Sequence, residues 1–243
     1  AGSLYTNTTG TNNVALGKDA MYLSTTGSSN IAVGRSALAQ NTTASNNVAI
    51  GDNSLNANTT GGENTAVGTQ SLQTAVTDNA NTAIGYRALE SCYGGQYNVA
   101  VGSRTLEDTT TGDYNIAMGY NALHNNTTAN DNVAVGHEAL LTATTAASNT
   151  AVGHQSLYTV NGDGSSGSNN TVIGRKAGYN MSTGYRNVCV GNNAGERITT
   201  GYQNTCVGNI AGYSTGQTGY NNTLLGYNAQ CPADGSNNQF VLG

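Results

Sequence analysis

The chain has no tryptophan, one phenylalanine (Phe240) and one proline (Pro232), and only 9% of its 243 residues are charged. Soluble globular domains carry about 25% charged residues and more large side chains. The shortage of both excludes an ordinary thick-cored globule. It leaves either disorder or a regular architecture with a narrow interior. The eight Lys and Arg are spread along the chain, with Arg175-Lys176 the one adjacent pair. Lys18, Arg35, Arg87 and Arg104 form no cluster, so nucleic acid is not an expected partner. No apolar run approaches the roughly 20 residues of a membrane span, so no membrane insertion is expected. No signal peptide is visible. Cys92, Cys189, Cys206 and Cys231 are too few and too irregularly spaced for a disulfide framework.

What is present is a repeat. Glycine recurs at Gly17, Gly34, Gly51, Gly68, Gly85, Gly102, Gly119, Gly136 and Gly153, every 17 residues, then at Gly174, Gly191, Gly208, Gly226 and Gly243. Four residues before each of these sits Asn: Asn13, Asn30, Asn47, Asn64, Asn81, Asn98, Asn115, Asn132, Asn149, Asn170, Asn187, Asn204 and Asn222, with Gln239 in the last unit. Between Asn and Gly lie three apolar or β-branched residues, as in Val14-Ala15-Leu16 or Thr82-Ala83-Ile84. After the Gly come two polar residues, a small one and usually Leu, then a polar loop such as Asn-Thr-Thr-Ala. Leu4 is in phase with Met21, so the first residues are the tail of an earlier unit and the chain is expected to be a piece of something longer.

A unit this short cannot bury its own core, and stacking supplies one. The expected fold is all-β: a parallel β-solenoid of 17-residue coils, each with two short strands, Asn-x-x-x-Gly and the Ala-Leu segment. The Asn column is expected to form a structural ladder along the axis, and the Gly column to make the turns. Within the chain the units differ systematically. The middle strand residue is Ala from Ala15 to Ala151, then Val172, Cys189, Cys206 and Leu224. The Leu position becomes Gly178, Gly195, Gly212 and Gln230. Packed interiors conserve volume, so the exchange predicts that the two positions face each other. It divides the chain into 1–157 with Ala/Leu coils, an inserted loop over 158–170, and 171–243 with the altered core. Cys189 and Cys206 become core fillers in adjacent coils. Spacing leaves a disulfide between them open, but parallel Cβ vectors disfavour it.

The residues flanking the middle strand position are also apolar, and they point the other way. A strand apolar on both faces is buried on both. A thin coil covers one, so another chain should cover the second, and a homotrimer is the natural closure.

The motif Asn-[Val/Ile/Thr]-Ala-[Val/Ile]-Gly-x-x-[Ala/Ser] resembles the head repeats of trimeric autotransporter adhesins, which implies a left-handed parallel β-roll and a trimer. With Gly-x-x-Ala-Leu and a Thr-Thr-Gly loop it looks more like the repeats of bacteriophage tail-fibre shafts. The segment Asn237-Asn238-Gln239-Phe240-Val241-Leu242-Gly243 is similar to the one that precedes the self-cleaving chaperone domain of such fibres. The resemblance covers nearly the whole chain. It implies a structural or adhesive fibre, extracellular or on the virion, involved in host attachment; the alternative is an adhesin head on a bacterial surface. A further alternative, from another class, is an ice-binding solenoid, because Thr25-Thr26, Thr42-Thr43, Thr59-Thr60 and Thr127-Thr128 are in phase.

Candidate sites are few. His137 and His154 share one column in adjacent units, but Lys18, Arg35, Asp52, Tyr86 and Tyr227 share it too, so it reads as a variable solvent face and no metal is expected. Glu107-Asp108 lies in a loop without a pocket, and Gly162-Asp163-Gly164 reads as a flexible loop. No catalytic constellation or cofactor is implied, so the chain is expected not to be an enzyme. Tyrosine is the one abundant large residue, with 14 copies. Tyr86, Tyr120 and Tyr227 follow the turn Gly and are candidate contacts for a cell-surface glycan or protein receptor.

Overall fold

A computed structural model describes residues 2–162, 166–213 and 217–243. Residues 163–165, in the inserted loop that includes Asp163-Gly164, lie outside the described residues. The described chain is all-β and forms a parallel β-solenoid. Each Asn-x-x-x-Gly segment supplies one three-residue strand: β1 (Val14–Leu16), β2 (Ile31–Val33), β3 (Val48–Ile50), β4 (Thr65–Val67), β5 (Thr82–Ile84), β6 (Val99–Val101), β7 (Ile116–Met118), β8 (Val133–Val135), β9 (Thr150–Val152), β10 (Thr171–Ile173), β11 (Val188–Val190), β12 (Thr205–Val207), β13 (Thr223–Leu225) and β14 (Phe240–Leu242). β-branched residues suit this pleated, half-covered surface.

The chain forms two compact units, 1–118 and 119–243. In the first, β1 to β7 pair in parallel, each with the next, in the register Val14↔Ile31, Ala15↔Ala32 and Leu16↔Val33. In the second, β8 to β14 do the same. The register survives the two longer coils, with Thr150 opposite Thr171 and Thr205 opposite Thr223. Extra residues are therefore absorbed by the loops and not by the sheet. The change of core composition at Val172 falls inside the second unit.

One expectation fails. The Ala-Leu segment is not a second strand, so each coil has one strand and not two. Its residues alternate in handedness: Ser36 and Leu38 have φ of 54° and 52°, and Asn53 and Leu55 repeat this at 54° and 47°. The alternation turns successive N–H groups up and down the axis. Ser36 N–H donates to the Lys18 carbonyl of one neighbouring coil at 2.9 Å, and Leu38 N–H donates to the Ser54 carbonyl of the other at 3.0 Å. A left-handed Leu costs about 1–2 kcal/mol. Full burial of its side chain stabilises by about 1.5–3 kcal/mol, and Leu38, Leu55, Leu72 and Leu89 are completely buried.

The turn glycines have a different reason. Gly68 has φ of 136°, and a Cβ there would lie 2.3 Å from the carbonyl oxygen of Gly85 in the next coil. Most of the column repeats this contact, so the position excludes a side chain by both conformation and space.

The Asn column is a side-chain-to-backbone ladder. Asn47 N–H donates to Asn30 Oδ1 at 3.0 Å, and Asn64 N–H donates to Asn47 Oδ1 at 2.9 Å. The amide Nδ2 of the same Asn47 donates to the Gly61 carbonyl of the following loop at 2.9 Å. The pattern runs through both units to Gln239, whose N–H donates to Asn222 Oδ1 at 3.0 Å. A buried Asn that makes both bonds thus holds the start of the next strand and the end of the next loop, which is how so polar an interior stays satisfied. Asn149 is an exception, its Nδ2 having no partner among the described residues.

Candidate functional site

Inside the coil the middle strand residue faces the Leu/Gly position. A Cβ built on Gly178 would touch Val172 Cγ1 at 3.2 Å, and one on Gly212 would lie 2.6 Å from Cys206 Sγ. A third interior position also takes part. Ser24, Asn41 and Asn58 hold it in early coils, Met181 and Ile198 in later ones, all fully buried. Ile198 Cδ1 would lie 3.0 Å from a Cβ on Gly195. The volume lost with Leu is therefore refilled from two sides. The four cysteines are free and buried. Burial pushes the Cys92 thiol up to about 12, with the Asp78 charge adding to it. A hydrogen bond with Cys189, and then burial, hold the Cys206 thiol well above its ordinary range. These thiols are packing groups and not nucleophiles.

The candidate polar groups resolve into structural contacts. Glu107 is buried and bound by Arg104 Nε at 2.6 Å and Arg87 Nη1 at 3.0 Å, while Arg87 Nε also holds Glu90 at 2.5 Å. Buried carboxylates paired in this way have their charge and hydrogen-bonding capacity met by the guanidinium groups. His137 and His154 do stack, with ring centroids 5.1 Å apart, and Tyr120 stacks on His137 at 5.4 Å. Among the described residues no group of three or more His, Cys, Asp or Glu could hold a metal ion. Likewise, no described helix is long and apolar enough to cross a membrane.

Tyr86, Tyr120 and Tyr227 are exposed at the edge where the strand ends. They form no common patch within a unit: Tyr86 belongs to the first, Tyr120 and Tyr227 to the second. Tyr185, Tyr202 and Tyr220 do come together, stacked at 4.9 Å per step. Their faces cover one another, and the Tyr202 phenol is pushed above its ordinary range, chiefly by loss of water around it. Stacked ring faces are not available to a ligand. The Thr pairs also divide in two. Thr25 and Thr42 hydroxyls donate to the Thr42 and Thr59 carbonyls of the next coil at 2.9 and 3.0 Å. Thr26, Thr43, Thr60 and Thr77 remain exposed in a single column.

Comparison with models of known protein families and with characterised proteins gives no match for this chain. The surface itself must therefore carry the functional reading.

Its most extended feature is the outward face of the sheet. In the first unit Ile31, Ile50, Ile84, Ile116 and Met118 point away from the coil interior and are 39–44% exposed. In the second, Ile173 and Val207 do the same at 40% and 37%. Along each unit the positions on either side of the middle strand residue form a strip two residues wide, of Val, Ile, Leu, Met, Phe and Thr, with no charge in it. Monomeric proteins rarely leave a continuous apolar strip of this kind in water.

Sequence reasoning missed one polar element. Just after the small loop residue, side chains accept the N–H of the equivalent residue one coil earlier. Ser28 N–H donates to Ser45 Oγ at 3.0 Å, Gly62 N–H to Asn79 Oδ1 at 2.8 Å and Gln96 N–H to Asp113 Oδ1 at 2.7 Å. The residue type varies, so no column of identical letters marks the position.

Proposed function

We propose that the chain is the shaft segment of an extracellular fibre, three left-handed β-rolls packed about a common axis, and that it spaces and presents an attachment apparatus. The observation that carries this reading is the uncharged apolar strip on the outward sheet face of each unit. A second chain of the same sequence presents the same strip, and a threefold arrangement closes it off from water without leaving a copy uncovered. The interior supports the reading too. Among the described residues it is built of ladders and packing groups, with no acid–base pair or thiol placed for chemistry, so the protein is read as a structural element and not an enzyme.

The repeat resembles phage tail-fibre shafts most closely, and a virion tail fibre engaged in host attachment is the reading favoured here. Tyr86, Tyr120 and Tyr227 are its candidate receptor contacts. An adhesin head on a bacterial surface would use the same strip and the same trimer. Electron microscopy of particles labelled with antibody against the chain separates them: label on the tails of virions supports the fibre, and label confined to bacterial surfaces rejects it. The ice-binding alternative rests on the exposed column Thr26, Thr43, Thr60 and Thr77, and thermal hysteresis in dilute solution is its test.

A further inference from the structure

The first unit carries a groove of about 410 Å³ along the loops that lead into the strands. One column of the repeat shapes it. The residue before each ladder Asn is Glu63, Ala80, Tyr97 and Tyr114 in four successive coils. All four are left-handed, with φ of 63°, 55°, 58° and 58°, so they point out in one line. Tyr97 and Tyr114 stack ring on ring, with centroids 5.2 Å apart and planes within 1°. Ala80 is too short to continue the stack. The far face of Tyr97 is therefore uncovered and looks across a notch floored by Ala80 toward Glu63. Two coil steps separate Glu63 from Tyr97, which makes the notch roughly 10 Å tall.

The groups around this notch are free to bind. The side chains of Asn46, Thr60, Glu63 and Gln96 line the groove and make no hydrogen bond or ion pair within the described chain. Asn79, by contrast, is fixed as wall: its Oδ1 accepts Gly62 N–H at 2.8 Å and its Nδ2 donates to the Thr77 carbonyl at 3.0 Å. One bare aromatic face, the Gln96 amide, the Thr60 hydroxyl and a carboxylate thus line a space of ligand size.

We infer that this notch binds a neutral pyranose saccharide, with one sugar ring stacked on Tyr97 above Ala80 and its hydroxyls held by Glu63 and Gln96. The ring C–H groups of a sugar carry slight positive charge and suit the negative face of the phenol. Sugar hydroxyls donate to the Glu63 carboxylate and both donate to and accept from the Gln96 amide. The same carboxylate repels acidic sugars, which sets the specificity toward neutral ones. The inference deepens the attachment reading by naming a ligand class and a site apart from Tyr86, Tyr120 and Tyr227.

Saturation-transfer difference NMR on the assembled protein tests it. The probes are neutral di- and trisaccharides of glucose, galactose and N-acetylhexosamines, with a sialylated trisaccharide as the charged control. Transfer to at least one neutral sugar and none to the sialylated one is expected. Tyr97→Ala should weaken binding by about tenfold or more, the loss of one aromatic stack. Ala80→Tyr should abolish it by extending the Tyr stack into the notch, and the fold tolerates Tyr there because Tyr97 and Tyr114 hold the same conformation in the same column. Absence of transfer to every neutral sugar, or unchanged transfer in Ala80→Tyr, would overturn the site. Either result with a trimeric mass intact would leave the fibre reading standing.

Discussion

Gly195 faces Cys189 across the interior of one coil so closely that a Cβ on Gly195 would lie 2.4 Å from the Cys189 sulfur. The Leu that earlier coils carry at this position cannot coexist with a sulfur there. Gly195→Leu should cost roughly 2–5 kcal/mol, from overpacking and from a left-handed non-Gly residue. Adding Cys189→Ala should recover about 1–2 kcal/mol of this, since it restores the pairing of the earlier coils. Urea midpoints at one fixed protein concentration measure both, and additive effects of the two changes would show that the positions do not touch.

Asn98 holds two backbone groups of its neighbour. Its Oδ1 accepts Asn115 N–H at 2.9 Å, and its Nδ2 donates to the Gly112 carbonyl at 2.8 Å. Asn98→Ala leaves both buried and unpaired, at about 1–3 kcal/mol each. Thr26→Ala, which removes an exposed hydroxyl in the same unit, should change stability by less than about 0.5 kcal/mol. Equal losses in the two variants, read by denaturant unfolding, would contradict the ladder's role.

Asp78 gives a pH dependence of known sign. It replaces the small loop residue that neighbouring coils hold at Gly61 and Gly95. In the coil before it, Asn58 Oδ1 caps Gly61 N–H at 3.1 Å; the equivalent of Asn58 is Ala75, which cannot cap. The Asp78 carboxylate turns back instead and accepts Val76 N–H at 3.1 Å, leaving Oδ1 without a partner. Burial raises its pKa from 3.8 to about 6, against backbone hydrogen bonding, chiefly from Val76, that lowers it. A carboxyl raised in the folded state binds its proton more tightly there than when unfolded. Its stabilising contribution is complete below the unfolded value near 4 and is lost as pH rises through about 6. The melting temperature should therefore fall by roughly 2–4 °C more between pH 4 and pH 7 in the native protein than in Asp78→Asn. Parallel pH profiles for the two proteins would remove Asp78 as the cause.

The period made much of this molecule readable in advance. Columns of identical letters, such as Asn30 above Asn13 or Gly34 above Gly17, mark places where each coil needs the same chemistry. The exchange of Leu for Gly at Gly178 and Gly195 exposed a contact because it changed at two columns together. The second strand was misread because Leu38 gives no local sign of a positive φ; a Leu flanked by small and polar residues looks like a strand. The ladder of Ser45, Asn79 and Asp113 escaped because several side chains can accept the same N–H, so the letters vary while the bond persists. The notch at Ala80 was hidden for the opposite reason. It arises where a column is interrupted, and its meaning depends on the stacked ring in the next coil.

The apolar strip tests the account most directly, because a fibre of three chains requires it to be buried. Sedimentation equilibrium of the native protein at micromolar concentration should give about three times the chain mass of 24.7 kDa. Replacing Ile84 and Ile50 on the outward face with Lys should abolish that species. A compact, folded particle with the mass of a single chain would contradict the account.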